Sequence, residues 1–340
     1  MMRLQSTAWP TSAAELDLAQ LTEAAAGALR DIGSRIAFAP HAARLIGPLE
    51  QHTAGLCFAG LGALAAVEVT LARVVEPHLD AIGILGQAGL EPPTISTWGV
   101  FAAEGPGVRL DAVQTDDGWQ LTGTKPWCSL ASRLSDALVT AHTGPGERRL
   151  FAVGLTDDGI TTDDDAWAAR GLPLVPSAPV TFDAVPATPV GDDGWYLRRP
   201  GFAWGGIGVA ACWWGGVIPL VDRLLATART RPDAELLLRT LGTAAIDLAI
   251  AENAIAEAAR AIEHGHADGA AGSRLAQRVR STVRFRVDAI RNSVLAALGP
   301  APLTTEPAYL SRLSDLELYV QQDHGDRDLV RYGRMLVEAD

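Results

Sequence analysis

The sequence predicts a multidomain α+β chain in three consecutive parts: a helical N-terminal domain over 1–94, an all-β middle domain over 95–190 and a C-terminal helical bundle over 191–340. Two changes of hydrophobic period carry that division. Apolar residues recur at helical spacing up to about Leu90, in short alternating runs after Glu91-Pro92-Pro93, and at helical spacing again beyond Gly191-Asp192-Asp193-Gly194. The third observation is composition: 340 residues, 48% of them hydrophobic, are ample for buried cores.

In the first part, Ser12 ahead of Ala13-Ala14-Glu15 has the form of a capping box, so a helix is predicted to start there and to continue through Leu16, Leu18, Leu21 and Ala25. Pro40 and Gly47-Pro48 interrupt the pattern. A long apolar helix is predicted from about 55 to 75, with Pro77 ending or kinking it. His41, His52 and His78 lie near these breaks and read as surface or capping residues.

The middle part shows strand-like runs at 98–103, 107–113, 118–121, 137–140, 150–155 and 179–182, separated by Gly, Asp and Pro. Asp157-Asp158 and Asp163-Asp164-Asp165 lack the Gly and terminal Glu of an EF-hand loop and read as a solvated loop. In the third part, 202–225 is dense in Gly and Trp, as a closely packed helix requires. Ala-rich helices are predicted at 235–262 and 273–298 and a last one at 313–336, joined by short loops as in a four-helix bundle. Arg274, Arg278, Arg280, Arg284, Arg286 and Arg291 read as solvated surface and inter-subunit pairing.

A net charge of −12 excludes broad nucleic-acid or anionic-membrane binding, which need a positive field. No apolar run reaches the roughly 18 residues of a membrane span, and Met1 to Pro10 lacks the plan of a signal peptide. Cys57, Cys128 and Cys212 are far apart and read as buried hydrophobes of a reducing, cytoplasmic compartment. With no CxxC and no HExxH, no metal site is expected.

Chemistry concentrates in Gly118-Trp119-Gln120-Leu121-Thr122-Gly123-Thr124-Lys125-Pro126-Trp127-Cys128-Ser129. It reads as a strand, a Thr-Gly-Thr-Lys turn and a second short strand that places Trp127 and Ser129 on one face. An aromatic ring and a hydroxyl aimed at one object suit a flat, hydrogen-bonding cofactor; a hairpin whose Trp is simply core reads equally from the residues alone.

This run from Asp117, followed by Ala137-Leu138-Val139-Thr140-Ala141, resembles the middle domain of acyl-CoA dehydrogenases. The resemblance implies a β-barrel for the middle domain and FAD as cofactor, with Trp127 packed on the isoalloxazine and Ser129 bonded to its N5. Val100-Phe101-Ala102-Ala103-Glu104-Gly105-Pro106 falls where that family lines the flavin pyrimidine, so main-chain groups of Ala102 and Ala103 are implied contacts, although the family's Thr hydroxyl is missing.

Asp315-Leu316-Glu317-Leu318-Tyr319-Val320-Gln321-Gln322-Asp323-His324 is similar to the family's C-terminal run and sets Asp323 at the position of the catalytic Glu. An Asp is shorter by roughly 1.5 Å, which matters for proton transfer over about 3 Å. His324 is the rival acid or base, as in a flavin monooxygenase or oxidase. Both side chains also read as partners of Arg327 or Arg331 at helical spacing.

The implied activity is α,β-dehydrogenation of an acyl thioester such as an acyl-CoA, with hydride to the flavin. The alternatives are a monooxygenase or oxidase of the same fold, or a degenerate member acting as a subunit or scaffold. The N-terminal part looks shorter than the family's, so a small-molecule substrate other than a long acyl-CoA is open. A homodimer or homotetramer is implied. In place of the family's Arg-x-Phe-Gly, which holds a neighbour's FAD, stands Arg239-Thr240-Leu241-Gly242, so that contact is altered or lost.

Overall fold

A computed structural model describes residues 2–338. Helices occupy the chain up to Gln87, strands from Trp98 to Val190, and helices again from Trp195. The first helix does not start at Ser12. Thr11–Glu15 is a short 3-10 turn, and the Ser12 hydroxyl reaches Glu263 at 2.5 Å instead of capping. The first α-helix, α1 (Leu18–Gly27), is capped by Asp17, and α2 (Ile32–Ile46) by Asp31, each accepting a main-chain N–H of the first turn. Pro40 lies inside α2 without ending it.

The long apolar helix expected over 55–75 is two, α3 (Ala54–Val67) and α4 (Val69–Gln87), broken at Glu68 in extended conformation. Arg35 holds that carboxylate through two hydrogen bonds of 2.6 Å. Pro77 sits within α4. Helix α3 is apolar on every face and is buried along most of its length, as such a helix must be.

The middle strands are β1 (Trp98–Phe101), β2 (Leu110–Thr115), β3 (Gly118–Lys125), β4 (Asp136–Gly144), β5 (Glu147–Gly154), β6 (Ile160–Thr162) and β7 (Val180–Val190). They close into a barrel. One edge of β4 pairs in parallel first with β1 and then, at His142, with β2; β2, β3, β7 and β5 follow, and β5 returns antiparallel to the other edge of β4. Closure leaves the ring without an open edge. Leu121, Val139, Phe151, Phe182 and Val185 fill it.

The third part runs α5 (Trp195–Arg198), α6 (Phe202–Thr230), α7 (Glu235–Glu263), α8 (Gly269–Leu298), α9 (Ala301–Thr305), α10 (Pro307–Tyr319) and α11 (Asp326–Val337). Helices α6, α7 and α8 pack on one another, and α3 packs along α6. The last two are separate where one helix was expected over 313–336: Val320–Gln322 tightens to a 3-10 turn and Asp323 is extended. Helix α6 is long and apolar enough to cross a membrane, yet 78% of its most apolar window is buried in the molecule. Half-buried Arg312 of α10 donates four hydrogen bonds, to the carbonyls of Ala65, Ala66 and Val67 at the end of α3 and of Gly216 in α6. It thereby satisfies carbonyls that a helix terminus leaves free.

Candidate active site

All three parts meet around a cavity of about 370 Å³, within the range of small-molecule sites. One wall is α4, which presents Arg73, Glu76 and Asp80. Positions three and seven after Arg73 share its helix face, and Pro77 stands beside them. Another wall is the end of β1 with Ala102 and Ala103; α6 supplies Phe202 and Gly206, and α8 supplies Gln277 and Arg280. The link into α11, with Gln322 and His324, and α11 itself, with Asp328 and Arg331, close it.

The charges are arranged, not scattered. Half-buried Asp80 is engaged by Arg199 at 3.3 Å, and burial outweighs the opposing pull of that guanidinium to leave its carboxyl raised from the ordinary value. Arg280 donates to the carbonyls of Gly206 and Gln322 and lies 5.0 Å over the Trp213 ring. It is therefore a cavity wall and a tie between α6, α8 and the link, not the solvated surface expected of it. Glu76 is 9% exposed, and burial, reinforced by Asp80 and opposed by Arg73 and Arg280, pushes its carboxyl up to about 7.

Ala102 and Ala103 line the cavity. Trp127 and Ser129 do not, and the second strand expected to carry them is not formed. Thr-Gly-Thr-Lys is a bulge inside β3 rather than a turn: Gly123 takes φ +123°, where a side chain would strike the Arg109 carbonyl, and the register with β7 shifts there. Beyond it Pro126 has no N–H to pair. Cys128 and Leu130 instead donate to the carbonyls of Ala178 and Pro176.

As a result Trp127 and Ser129 do not share a face. Trp127, at φ +59°, is 60% exposed with Trp167 edge-on to it at 6.4 Å, whereas Ser129 is buried. The Ser129 hydroxyl accepts from Arg73 at 2.7 Å and pairs with Ser177 at 2.8 Å. Through Arg73 it is one side chain away from the cavity.

Asp323 is buried beside a second, smaller cavity with Arg284, Gln321 and Arg327. Its Oδ1 accepts the Gly325 N–H at 2.8 Å and its Oδ2 is buried without a partner. His324 lines both cavities, mostly exposed, with Nδ1 3.6 Å from Asp328. The pairing of Asp323 and His324 with Arg327 or Arg331 is not formed, because no helix runs through 323–325.

His78, expected at the surface, is buried inside α4. Its Nδ1 accepts the Trp98 N–H at 3.3 Å, and burial lowers its imidazole to about 4. Lys125 is also buried and donates to Glu104 and Thr140. Among the described residues no group of His, Cys, Asp and Glu is placed to hold a metal ion. Glu76, Arg73 and Asp80 escaped the sequence reading; three charges on one face of an otherwise apolar helix were the available signal.

No protein-family model matches the chain, and no curated protein matches it in sequence. Solved structures do match in shape, and they define the class: the chain has the acyl-CoA dehydrogenase-like fold. Butyryl-CoA dehydrogenase from Megasphaera elsdenii superposes with a TM-score of 0.79 at 15% identity over 99% of this chain and 100% of its own. The nitrososynthase from Micromonospora carbonacea var. africana gives 0.76 at 17% over 98% and 97%. Dibenzothiophene monooxygenase TdsC from Paenibacillus sp. A11-2, in its complex with FMN and indole, gives 0.76 at 16% over 96% and 98%.

The residues present suit a flat heterocycle in part. An indole held exposed in a left-handed backbone conformation and the chain at Ala102 and Ala103, which lines the cavity, are surfaces such a ring can use. The two segments adjoin, since a Cβ on Gly105 would lie 3.2 Å from Pro126. The Ser129 hydroxyl is already engaged by Arg73 and Ser177.

Proposed function

We propose that this chain is a flavin-dependent oxidoreductase acting on a small polar substrate, in the manner of a monooxygenase or oxidase. The observation that carries the reading is the cavity wall of Arg73, Glu76, Asp80 and Arg280. A fatty acyl chain gains about 0.8 kcal/mol per buried methylene only against apolar surroundings. Here it would strip water from charged groups, which costs more than it returns. The placement of Asp323 outside this cavity supports the same choice over α,β-dehydrogenation of an acyl thioester.

Trp127 would cover one face of the flavin, main-chain groups of Ala102 and Ala103 would bond its edge, and Ser129, oriented by Arg73, would approach through its remaining hydrogen-bonding capacity. The flavin, when bound, supplies the two-electron redox chemistry. His324, at the cavity mouth, would exchange a proton with substrate or solvent. FMN stands beside the FAD implied by the resemblance, because TdsC was solved with FMN. A homodimer or homotetramer belongs to the same proposal, and exposed Leu236, Ile246 and Phe285 on α7 and α8 support it; so does a cytoplasmic location, consistent with three free buried cysteines.

Titration of the purified protein with FMN and FAD, oxidised and reduced, tests the reading through flavin fluorescence. Binding is expected, with Trp127→Ala weakening Kd by about tenfold, near 1.4 kcal/mol for one aromatic stack. Oxygen uptake with reduced flavin then separates oxidase or monooxygenase from dehydrogenase. Failure of all four flavin forms to bind at millimolar concentration removes the proposal.

A further inference from the structure

Glu76 has a feature that no other cavity carboxylate shares. It is nine-tenths buried, yet among the described residues no donor lies within hydrogen-bonding reach of its carboxylate. The nearest cation, Arg73 Nη1, is 3.8 Å away, too long for a hydrogen bond. Asp80 has Arg199, and Asp328 accepts the His324 N–H at 3.0 Å. An ionised carboxylate offers about four acceptor sites, and leaving them empty away from bulk water is costly. The missing donor is thus expected from whatever fills the cavity.

We propose that Glu76 is the substrate-binding and proton-accepting carboxylate of this site, receiving an O–H or N–H group of a neutral small molecule. The assignment rests on the cavity being the substrate site of the proposed oxidoreductase. In the step, the substrate O–H or N–H bond breaks, the proton passes to a Glu76 Oε, and the electron pair stays on the substrate heteroatom. Arg73 and Arg280, both on the cavity wall, offset the charge formed. A cationic substrate is disfavoured by the same two guanidinium groups.

The groups facing Glu76 set its titration. On its own helix these are Arg73 and Asp80; Arg280 faces it from α8 and Tyr196 from α5. Cys57 of α3, Cys212 of α6 and Tyr319 of α10, all held protonated by burial, complete the surround. His324 on the link into α11, and Asp328 and Arg331 on α11 itself, lie across the cavity. A carboxyl so placed titrates near neutrality, as a proton acceptor should.

Infrared difference spectra of the full chain between about pH 5 and 9 test this. A protonated-carboxyl band is expected to disappear through about pH 7, to be lost in Glu76→Gln and kept in Asp323→Asn. Glu76→Asp should keep a band with a moved midpoint, so the assignment does not hang on one variant. Millimolar phenol, a neutral O–H donor, should lower the midpoint by about one unit, as a donor to the charged form does. Anisole, the same ring without the donor, should not.

The proposal is overturned by a band missing from the wild type, by one that vanishes in Asp323→Asn instead, or by phenol leaving the midpoint where anisole leaves it. Flavin titration of the same samples is a separate readout. Phenol-sensitive Glu76 with no flavin bound overturns the oxidoreductase reading and leaves the carboxylate assignment standing.

Discussion

At the scale of single residues, burial of Glu76 and His78, two positions apart on α4, imposes opposite pH dependences on stability. Glu76 is raised to about 7 in the fold from an ordinary 4.5, so the folded state binds the extra proton between these values and stability falls as pH rises through that window. The full effect is about 3 kcal/mol. His78 is lowered to about 4 from 6.5, so the unfolded state binds the extra proton and stability rises with pH over 4 to 6.5. Where the windows overlap the two slopes oppose each other.

Glu76→Gln removes one of them. The variant should gain thermal stability relative to wild type as pH goes from 5 to 8, by about 4 °C for a chain of this size, with the two curves converging at acid pH. Melting followed by circular dichroism across that range checks it; a constant offset between the curves would place Glu76 outside any titration. Neither residue was legible in the sequence. Charges and a histidine beside a proline read as the exposed turn of a helix, and only segments from elsewhere in the chain packed around α4, among them α3, α6 and β1, bury them.

At the scale of elements, the expectations that match the structure are those in which one segment satisfies its own pattern. The long helices at 235–263 and 269–298 matched their predicted spans to within a few residues, because an Ala-rich 3.6-residue period needs no distant partner to be read. The short strand expected at 127–129 failed because its fate was decided by the carbonyls of Ala178 and Pro176, far along the chain. The resemblance set Trp127 and Ser129 on one face, whereas the backbone parts them, the indole exposed and the hydroxyl buried.

Close packing of α3 on α6 is likewise set across the chain. A side chain on Gly215 would strike the Gly62 carbonyl, and one on Gly62 would lie 2.7 Å from the Trp214 ring. Gly215→Ala should therefore destabilise by about 2 kcal/mol, since backbone must shift. Gly242→Ala in α7 meets nothing within 4 Å and should stabilise by about 0.5–1 kcal/mol through helix propensity. Urea midpoints measured side by side should move in opposite directions; equal shifts would mean that the α3–α6 contact is looser than the glycines imply.

At the scale of the molecule, the cavity exists only because three separately folded patterns meet, and few bonds hold its last wall. The link through 322–325 is non-helical, and Gly325 sits at φ +59°, so α11 approaches the bundle through a stretch with little ladder bonding of its own. Arg280 fastens it, bonding the Gln322 carbonyl while its other nitrogen holds Gly206. Arg284 adds a 2.5 Å bond to the Val320 carbonyl two residues earlier.

Removing the first tie should loosen this wall alone. Arg280→Met keeps a long unbranched apolar side chain but forfeits both hydrogen bonds and the guanidinium over Trp213. Amide exchange in 320–338 should then accelerate about tenfold or more, equivalent to some 1.4 kcal/mol of lost local stability. Barrel amides in β3, β4 and β7 should keep the wild-type rate, because none of their bonds passes through Arg280. Exchange read by mass spectrometry on peptides from both regions decides it: acceleration confined to the C-terminal wall fits a hinged closure of the site, whereas acceleration everywhere would make Arg280 a global support and α11 a fixed part of the core.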